Sequence, residues 1–253
     1  MTDVTIYDVA DKAGVSISTV SRVLNSPTQV NQETRTRVLA VIDALKFVPK
    51  AEATARARKG TRRIGVLAPF ITYPSFVQRL RGVAMMADHS YEMVIYNVDS
   101  TTRRDSYLSS LPVTRRLDGL IVMALPFAQA AAQRLHSHGL ETVLIECSSD
   151  YFSSVEIDDE AGGRQVASYL LEQGYRRFGF IGDTSVPDYA IHTSERRLLG
   201  YQQTLRAAGC EPRPEHILLG PHGLSSARLL AHKMLEQPEA PAVIFAPSDT
   251  QAM

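Results

Sequence analysis

Cysteine is almost missing from this 253-residue chain: Cys147 and Cys210 are the two it has. They stand far apart in no metal-type or redox spacing, which argues against a disulfide framework and reads as reduced thiols in a reducing compartment. Long apolar runs are missing too. No stretch approaches the roughly 18 to 20 consecutive apolar residues of a membrane span, and the N-terminus lacks the basic start, apolar core and cleavage site of a signal peptide. Both absences predict a cytoplasmic protein with no membrane partner. Catalytic signatures are equally scarce. There is no G-x-S-x-G elbow and no Walker loop; "GFIGD" lacks the third glycine of a dinucleotide site, and His136 and His138 have no partner at zinc spacing. The acidic run Asp158-Asp159-Glu160 opens a helix, where carboxylates favour the macrodipole, and does not read as a metal cluster. The sequence thus predicts no enzyme, no cofactor and no metal.

Net charge is also missing, with 27 Lys and Arg against 27 Asp and Glu, but the balance hides an asymmetry. Residues 1–63 hold 11 basic and 6 acidic side chains, leaving 16 and 21 for the remainder. A small basic head on an acidic body points to a polyanion met by the head alone. What the chain has in quantity is apolar residues, 44 %, enough for a small domain plus a larger one.

The head reads as three short helices. Thr5 and Asp8 have capping-box spacing, and Ile6, Val9, Ala10 and Ala13 repeat at i, i+3, i+4 and i+7. Gly14 can take the positive φ that ends this helix, and Ser16 can cap a second over 17–24, with Ile17, Val20 and Leu24 at helical spacing. A third, 32–45, offers Val38, Val41, Ile42 and Leu45 as the stripe that covers the other two. Two short helices joined by a glycine turn make a helix-turn-helix. The second helix begins "SISTVSR", rich in mediocre helix formers. Short hydroxyl side chains suit a helix whose first turn enters the DNA major groove, where they hydrogen-bond to base edges or phosphates while Arg22 reaches a guanine or a phosphate.

"VTIYDVADKAGVSISTVSRVLN" followed by "VNQETRTRVLAVIDALKFVP" resembles the head of the lac repressor family of bacterial transcription regulators in order and spacing throughout. The resemblance implies a homodimer on a near-palindromic double-stranded DNA operator. Ile17 and Ser18 fall on the pair that reads it, and Ser16, Thr19, Ser21, Arg22 and Asn25 on the shared frame. Tyr7 and Thr34 match backbone-contacting positions, and Gln29 lies in a loop that reaches a neighbouring phosphate or base. Residues 1–48 are then the DNA-binding domain and 49–61 a hinge, "KAEATARARKG", which in that family orders on the operator and wedges a Leu into the minor groove. Here Arg56 stands at the wedge position and Lys50 where many members have Asn. An Arg cannot unstack a base step but can enter a narrow, negative minor groove, so weaker kinking and an A·T-rich operator centre are expected. The plainer reading is a basic linker touching phosphates.

From "RRIGVLAP" onward, apolar runs at 64–67, 93–96, 119–123, 143–145, 178–181 and 242–245 alternate with helical stretches at 76–88, 160–173, 195–208 and 224–236. Such alternation predicts a doubly wound parallel α/β sheet whose ligands sit just beyond the carboxyl ends of the strands. Those positions carry Phe70, Tyr73, Phe76, Glu146, Asp183, Ser248 and Asp249, aromatic faces and carboxylates that suit a polyhydroxylated ring. "DGLIVMA", "SVEIDDEAGGRQVASYLLEQGYRRFGFIGD", "SERRLLGYQQTLRAAG" and "FAPSDTQAM" resemble blocks of the same family's effector domain, similar to periplasmic sugar-binding proteins. The resemblance implies a small carbohydrate effector contacted by Phe76, Glu146, Arg197, Ser248 and Asp249, with Ser248 where Asn is commoner, and a dimer face near Met85, Met86 and Ala87. Residues 62–253 form this domain, expected to be incomplete because family members continue past Met253. Two other readings stay open: a truncated DNA-binding regulator with no working effector response, and a periplasmic-type sugar-binding protein.

Overall fold

The computed structural model of the chain describes residues 4–47, 61–87, 90–184 and 187–253. Arg56 and most of the segment expected to act as a hinge lie outside the described residues. Two compact units form, Met1–Glu156 with Asp188–Ala190, and Ile157–Pro187 with Ile191–Met253.

The first unit opens with three helices, α1 (Ile6–Ala13), α2 (Ile17–Asn25) and α3 (Gln32–Leu45). The Thr5 hydroxyl accepts from the Asp8 amide, and the Asp8 carboxylate accepts from the Thr5 amide at 2.7 Å, a complete capping box. Those bonds to Thr5 hold the Asp8 carboxyl below its usual range. Gly14 ends α1 at φ 64°. No atom lies within 4 Å of a Cβ built there, so Gly14→Ala meets no clash and loses only the backbone preference, about 1 kcal/mol. Chemical denaturation should show that loss; no change would contradict the strained turn.

Val9, Ala10, Ala13, Val20, Val23, Leu24, Val38, Leu39, Ile42 and Phe47 make the core of the three-helix head. The inward stripe of α2 is Val20, Val23 and Leu24, while Ile17 in the first helical turn remains 39 % exposed. The spacing Ile17, Val20, Leu24 therefore marks a mixed set, two residues for the core and one for solvent.

The rest of this unit is a parallel sheet in the order β2-β1-β3-β4-β5, built from β1 (Arg63–Ala68), β2 (Glu92–Asn97), β3 (Gly119–Met123), β4 (Glu141–Ile145) and β5 (Ser153–Val155). Helices α4 (Pro74–Ala87), α5 (Thr101–Thr114) and α6 (Gln129–Ser137) connect them. Strand order reverses at β1, which puts a crevice beyond its carboxyl end.

The second unit holds β6 (Phe178–Asp183), β7 (Ile217–Gly220) and β8 (Val243–Phe245) in the parallel order β7-β6-β8, with helices α7 (Asp159–Glu172), α8 (Thr193–Ala207), α9 (Leu224–Leu235) and α10 (Asp249–Ala252). The period of two along β6 sorts its side chains. Phe178 and Phe180 pack with Ala167, Tyr201 and Leu205 of α7 and α8, whereas Ile181 packs with Ala227 and Met234 of α9. Helices thus cover both faces, and the order reverses at β6.

Candidate functional site

Polar and aromatic side chains gather in three places, on the head and at the strand ends of each of the two sheets. On the head, the Ser16 hydroxyl caps α2 by accepting from the Thr19 amide at 3.3 Å. It also shares hydrogen bonds with the hydroxyls of Ser18, at 2.8 Å, and Thr19, at 2.9 Å. The capping demand thus explains why hydroxyls begin this helix, and the same cluster leaves Ser16, Ile17 and Ser18 exposed in one turn. Asn31 caps α3 in the same way, its Oδ1 accepting from the Thr34 amide at 2.8 Å.

The two helix starts share a hollow of about 350 Å³ lined by Val15, Ser16, Thr19, Arg22, Gln29, Val30, Asn31 and Thr34. Two helix N-termini, several hydroxyl or amide groups and one guanidinium around one hollow favour an oxyanion such as a phosphate. Five of the sequence candidates, Ser16, Thr19, Arg22, Gln29 and Thr34, come together here. Tyr7 stands on α1 at 69 % exposure, and Ser21 is half-buried. Asn25 closes α2, its amide donating to the Ser21 carbonyl at 2.9 Å and hydroxyl at 3.2 Å. Asn31 was missed by sequence reasoning, although an Asn ahead of "QETR" is an ordinary cap signal.

In the first unit, the chain leaving β1 turns through Phe70 at φ 49°. The Phe70 ring stacks on Tyr73, with centroids 4.9 Å apart and planes 14° apart, and meets Phe76 edge-on at 6.0 Å. Glu146 follows β4 at φ 61°, its carboxylate almost buried and paired with Arg79. The Arg79 guanidinium carbon lies 5.0 Å from the centroid of the Phe76 ring, within cation–π range. Arg79 is the residue that sequence reasoning missed here. Its position three after Phe76 on α4 puts it on the same helix face, a usable signal, but nothing local shows that Glu146 is its partner. Burial pushes the neighbouring Cys147 thiol up to about 11, so it stays protonated near neutral pH and is no nucleophile.

In the second unit a close helix crossing sets the geometry. A Cβ at Gly163 would stand 2.0 Å from the Arg197 carbonyl oxygen, and one at Gly200 2.0 Å from that of Glu160. The absent side chains let α7 and α8 meet backbone to backbone, which carries Arg197 onto Asp159. Its Nε donates to Asp159 Oδ1 at 2.8 Å, Nη1 donates to the Pro247 carbonyl, and Asp159 is 4 % exposed. Beyond β6, Asp183 Oδ1 accepts from Gln251 Nε2 at 3.0 Å and lies 3.1 Å from His222 Nδ1. Ser248 caps α10 and hydrogen-bonds to Gln251 Oε1 at 2.8 Å, while Asp249 is exposed. Thus Phe76 and Glu146 gather at the strand ends of the first sheet, and Arg197 with Ser248 at those of the second. Asp159, His222 and Gln251 join them without having been expected to. Among the described residues no group of three metal-ligating side chains is present, and no helix is long and apolar enough to cross a membrane.

Comparison with known proteins covers nearly the whole chain. The family model described as "Bacterial regulatory proteins, lacI family" matches residues 5–50, and "Periplasmic binding proteins and sugar binding domain of LacI family" matches 61–253. Catabolite control protein A of Priestia megaterium is 30 % identical over 254 residues, covering 99 % of this chain and 76 % of that protein. The HTH-type transcriptional repressor CytR of Escherichia coli K12 is 29 % identical over 256 residues, covering 100 % and 74 %. Among solved structures, a LacI-family transcriptional regulator from Silicibacter pomeroyi superposes with a TM-score of 0.67 at 29 % identity, covering 98 % of this chain and 75 % of that one. The regulator CelR, solved with cellobiose, gives 0.59 at 26 % identity, covering 98 % and 75 %. The lac repressor dimer bound to operator and an anti-inducer gives 0.62 at 23 % identity, covering 99 % and 76 %, a likeness of fold.

Proposed function

Because this chain belongs to the lacI family of bacterial regulatory proteins and is a DNA-binding transcription regulator, we propose that it represses carbohydrate-utilisation genes as a homodimer under control of a small sugar-like effector. The observation that carries the DNA-reading part is the hollow shared by the starts of α2 and α3, an open seat of donors with the exposed Ile17 and Ser18 beside it. In this reading Ser16, Thr19, Arg22, Gln29 and Thr34 hold the sugar-phosphate backbone, Tyr7, Ser21 and Asn25 help to orient the head, and Ile17 with Ser18 read base edges. Residues 1–48 then form the reading head and 49–61 the hinge, where Arg56 enters a narrow minor groove. Residues 62–253 carry the effector site.

Effector recognition follows from the strand-end groups. In the first unit the half-buried Phe70 and Tyr73 rings offer faces to ring C–H groups, with Phe76 buried against Phe70, and Glu146 supplies an acceptor; in the second, Arg197, Ser248 and Asp249 supply donors and acceptors for hydroxyls. Support comes from the family model, whose description includes a sugar-binding domain, and from CelR, solved with cellobiose. Ligand and operator would be coupled by roughly 1 to 3 kcal/mol, the usual range for two distinct sites.

Selection of bound DNA from a random pool should return a near-palindrome with half-sites about one helical turn apart. On that operator, log affinity should fall steeply and linearly with log salt, and Arg22→Ala should weaken every sequence alike while lowering the slope by about one per head. A flat salt response would refute a DNA-binding head. A thermal-shift screen of sugars against the same protein tests the effector, and a sugar that stabilises the protein without altering operator affinity would remove it from the control mechanism.

A further inference from the structure

The core of the head does not stop at the head. Val113, near the end of α5 and 3 % exposed, packs into the cluster formed by Val9, Val20, Val38, Ile42 and Phe47. Two polar contacts flank it. Asp43 of α3 pairs with Arg134 of α6 and stands 2.9 Å from His138 Nε2, and Asn25 of α2 accepts from Arg116 just beyond α5. Arg134 is itself anchored on α5, its Nε donating to the Ser109 carbonyl at 3.1 Å. Burial lowers the His138 ring below the usual histidine range, leaving it neutral near pH 7 and Asp43–Arg134 as the charged pair.

The contact is loosely made. Between α3, α5 and α6 it leaves a cavity of about 580 Å³, with Asp43, Lys46, Val113, Arg115, Arg134 and His138 in its lining. Lys46 and Arg115 both sit in left-handed conformations that end α3 and α5. The cavity does not call for an anion. Three helix C-termini reach it, each carrying roughly half a negative charge, and with Asp43 they nearly offset Lys46, Arg115 and Arg134. A void forfeits packing, and Arg134 Nη2 is buried with no hydrogen-bond partner among the described residues. Such a junction suits a contact made and broken in use.

We propose that α5 and α6 form a clamp for the head of their own chain, and that the clamp competes with DNA for the end of α2 through Asn25. The proposal rests on the DNA-reading conclusion above. Ile17 and Ser18 stay exposed in the clamped state, so encounter with DNA is open. Asn25, however, spends its amide on Ser21 and its carbonyl oxygen on Arg116, so Asn25 can turn to the operator only when Arg116 lets go. With the clamped state holding about nine-tenths of unbound molecules, apparent operator affinity is about tenfold below that of the released head.

The test is amide NMR relaxation of the full chain without DNA, paired with operator affinity. In the wild type, head amides should relax like those of β1 to β3. In Arg116→Ala with Arg134→Ala the head should tumble faster, and operator affinity should rise about tenfold at an unchanged salt slope. Exchanging the pair, Asp43→Arg with Arg134→Asp, should restore slow tumbling, whereas Asp43→Arg alone should not, and this arm decides the matter if the alanine variant misfolds. A wild-type head that already tumbles freely overturns the clamp. So does a double variant that binds equally or more weakly, or one whose slope falls by about two, because the arginines would then be phosphate contacts. Failure to bind any operator would instead refute the DNA-reading conclusion, with the relaxation comparison still deciding the clamp.

Discussion

Gly200→Ala should cost the second unit about 3 kcal/mol, near the upper end for an overpacked core site, because the new methyl meets backbone rather than a side chain. The Glu160 carbonyl oxygen would stand 2.0 Å away, and the reciprocal site, Gly163 against the Arg197 carbonyl, is as tight. Neither oxygen can rotate aside. The crossing of α7 and α8 must open, and since typical domains are stable by only 5 to 15 kcal/mol, one methyl removes a large share. Opening also draws Arg197 from Asp159, which would remain a nearly buried carboxylate without its partner. Gly162→Ala is the control. Nothing lies within 4 Å of that Cβ, so the change should be neutral or mildly stabilising through helix propensity. The chain has no tryptophan, so urea unfolding is best followed by circular dichroism. A Gly200→Ala midpoint within error of the Gly162→Ala midpoint would show that the crossing adjusts freely.

Exchanging Ile17 and Ser18 should change which operator is bound, and by more than any single phosphate contact. Each well-matched base contact discriminates by about 1 to 3 kcal/mol, and a two-headed protein repeats it at both half-sites. The preference between the original operator and one selected by the variant should then shift by roughly 2 to 6 kcal/mol, about thirtyfold to twenty-thousandfold. Stability should hardly move, since Ile17 is partly solvated and Ser18 exposed. The Ser16 cap is retained, so α2 still starts in the same place. Repeating the random-pool selection with the variant decides the point. Recovery of an identical consensus would mean that these two side chains do not read bases.

The head could be read almost to the residue because its signals are local. A capping box, a glycine turn and a hydroxyl cap each act within four residues, and the helices begin and end where Thr5, Gly14, Ser16 and Asn31 place them. Strands β1, β2, β3 and β6 were legible as bounded apolar runs. Helix α5 was not, since it lacks an apolar stripe and contains Pro112. Two of its buried hydroxyls bond within the helix, Ser110 to the Ser106 carbonyl at 2.7 Å and Thr114 to that of Leu111 at 3.1 Å, while the Ser106 hydroxyl is buried with no partner among the described residues. Burial of polar residues paired to their own backbone leaves no periodic trace. Strand β5, three exposed residues, leaves none either. At the strand ends the doubly wound rule led to Phe76, Glu146 and Ser248, but Arg79 and Asp159 are defined by partners 67 and 38 residues away, which no local pattern reports.

The left-handed turns at Phe70, Ala124 and Glu146 also bear on how binding preference in this fold can drift over generations. All three stand just after β1, β3 and β4, and at each a β-branched replacement would oppose the backbone, leaving glycine, asparagine and a few unbranched residues as tolerated substitutes. The strand ends are therefore a narrow channel for variation. Helix α4 is a wider one, because its backbone is ordinary helix, although Phe76 is buried and Arg79 pairs with the almost buried Glu146. New ligand preferences should accumulate on that helix first, with the turns held nearly constant beneath them.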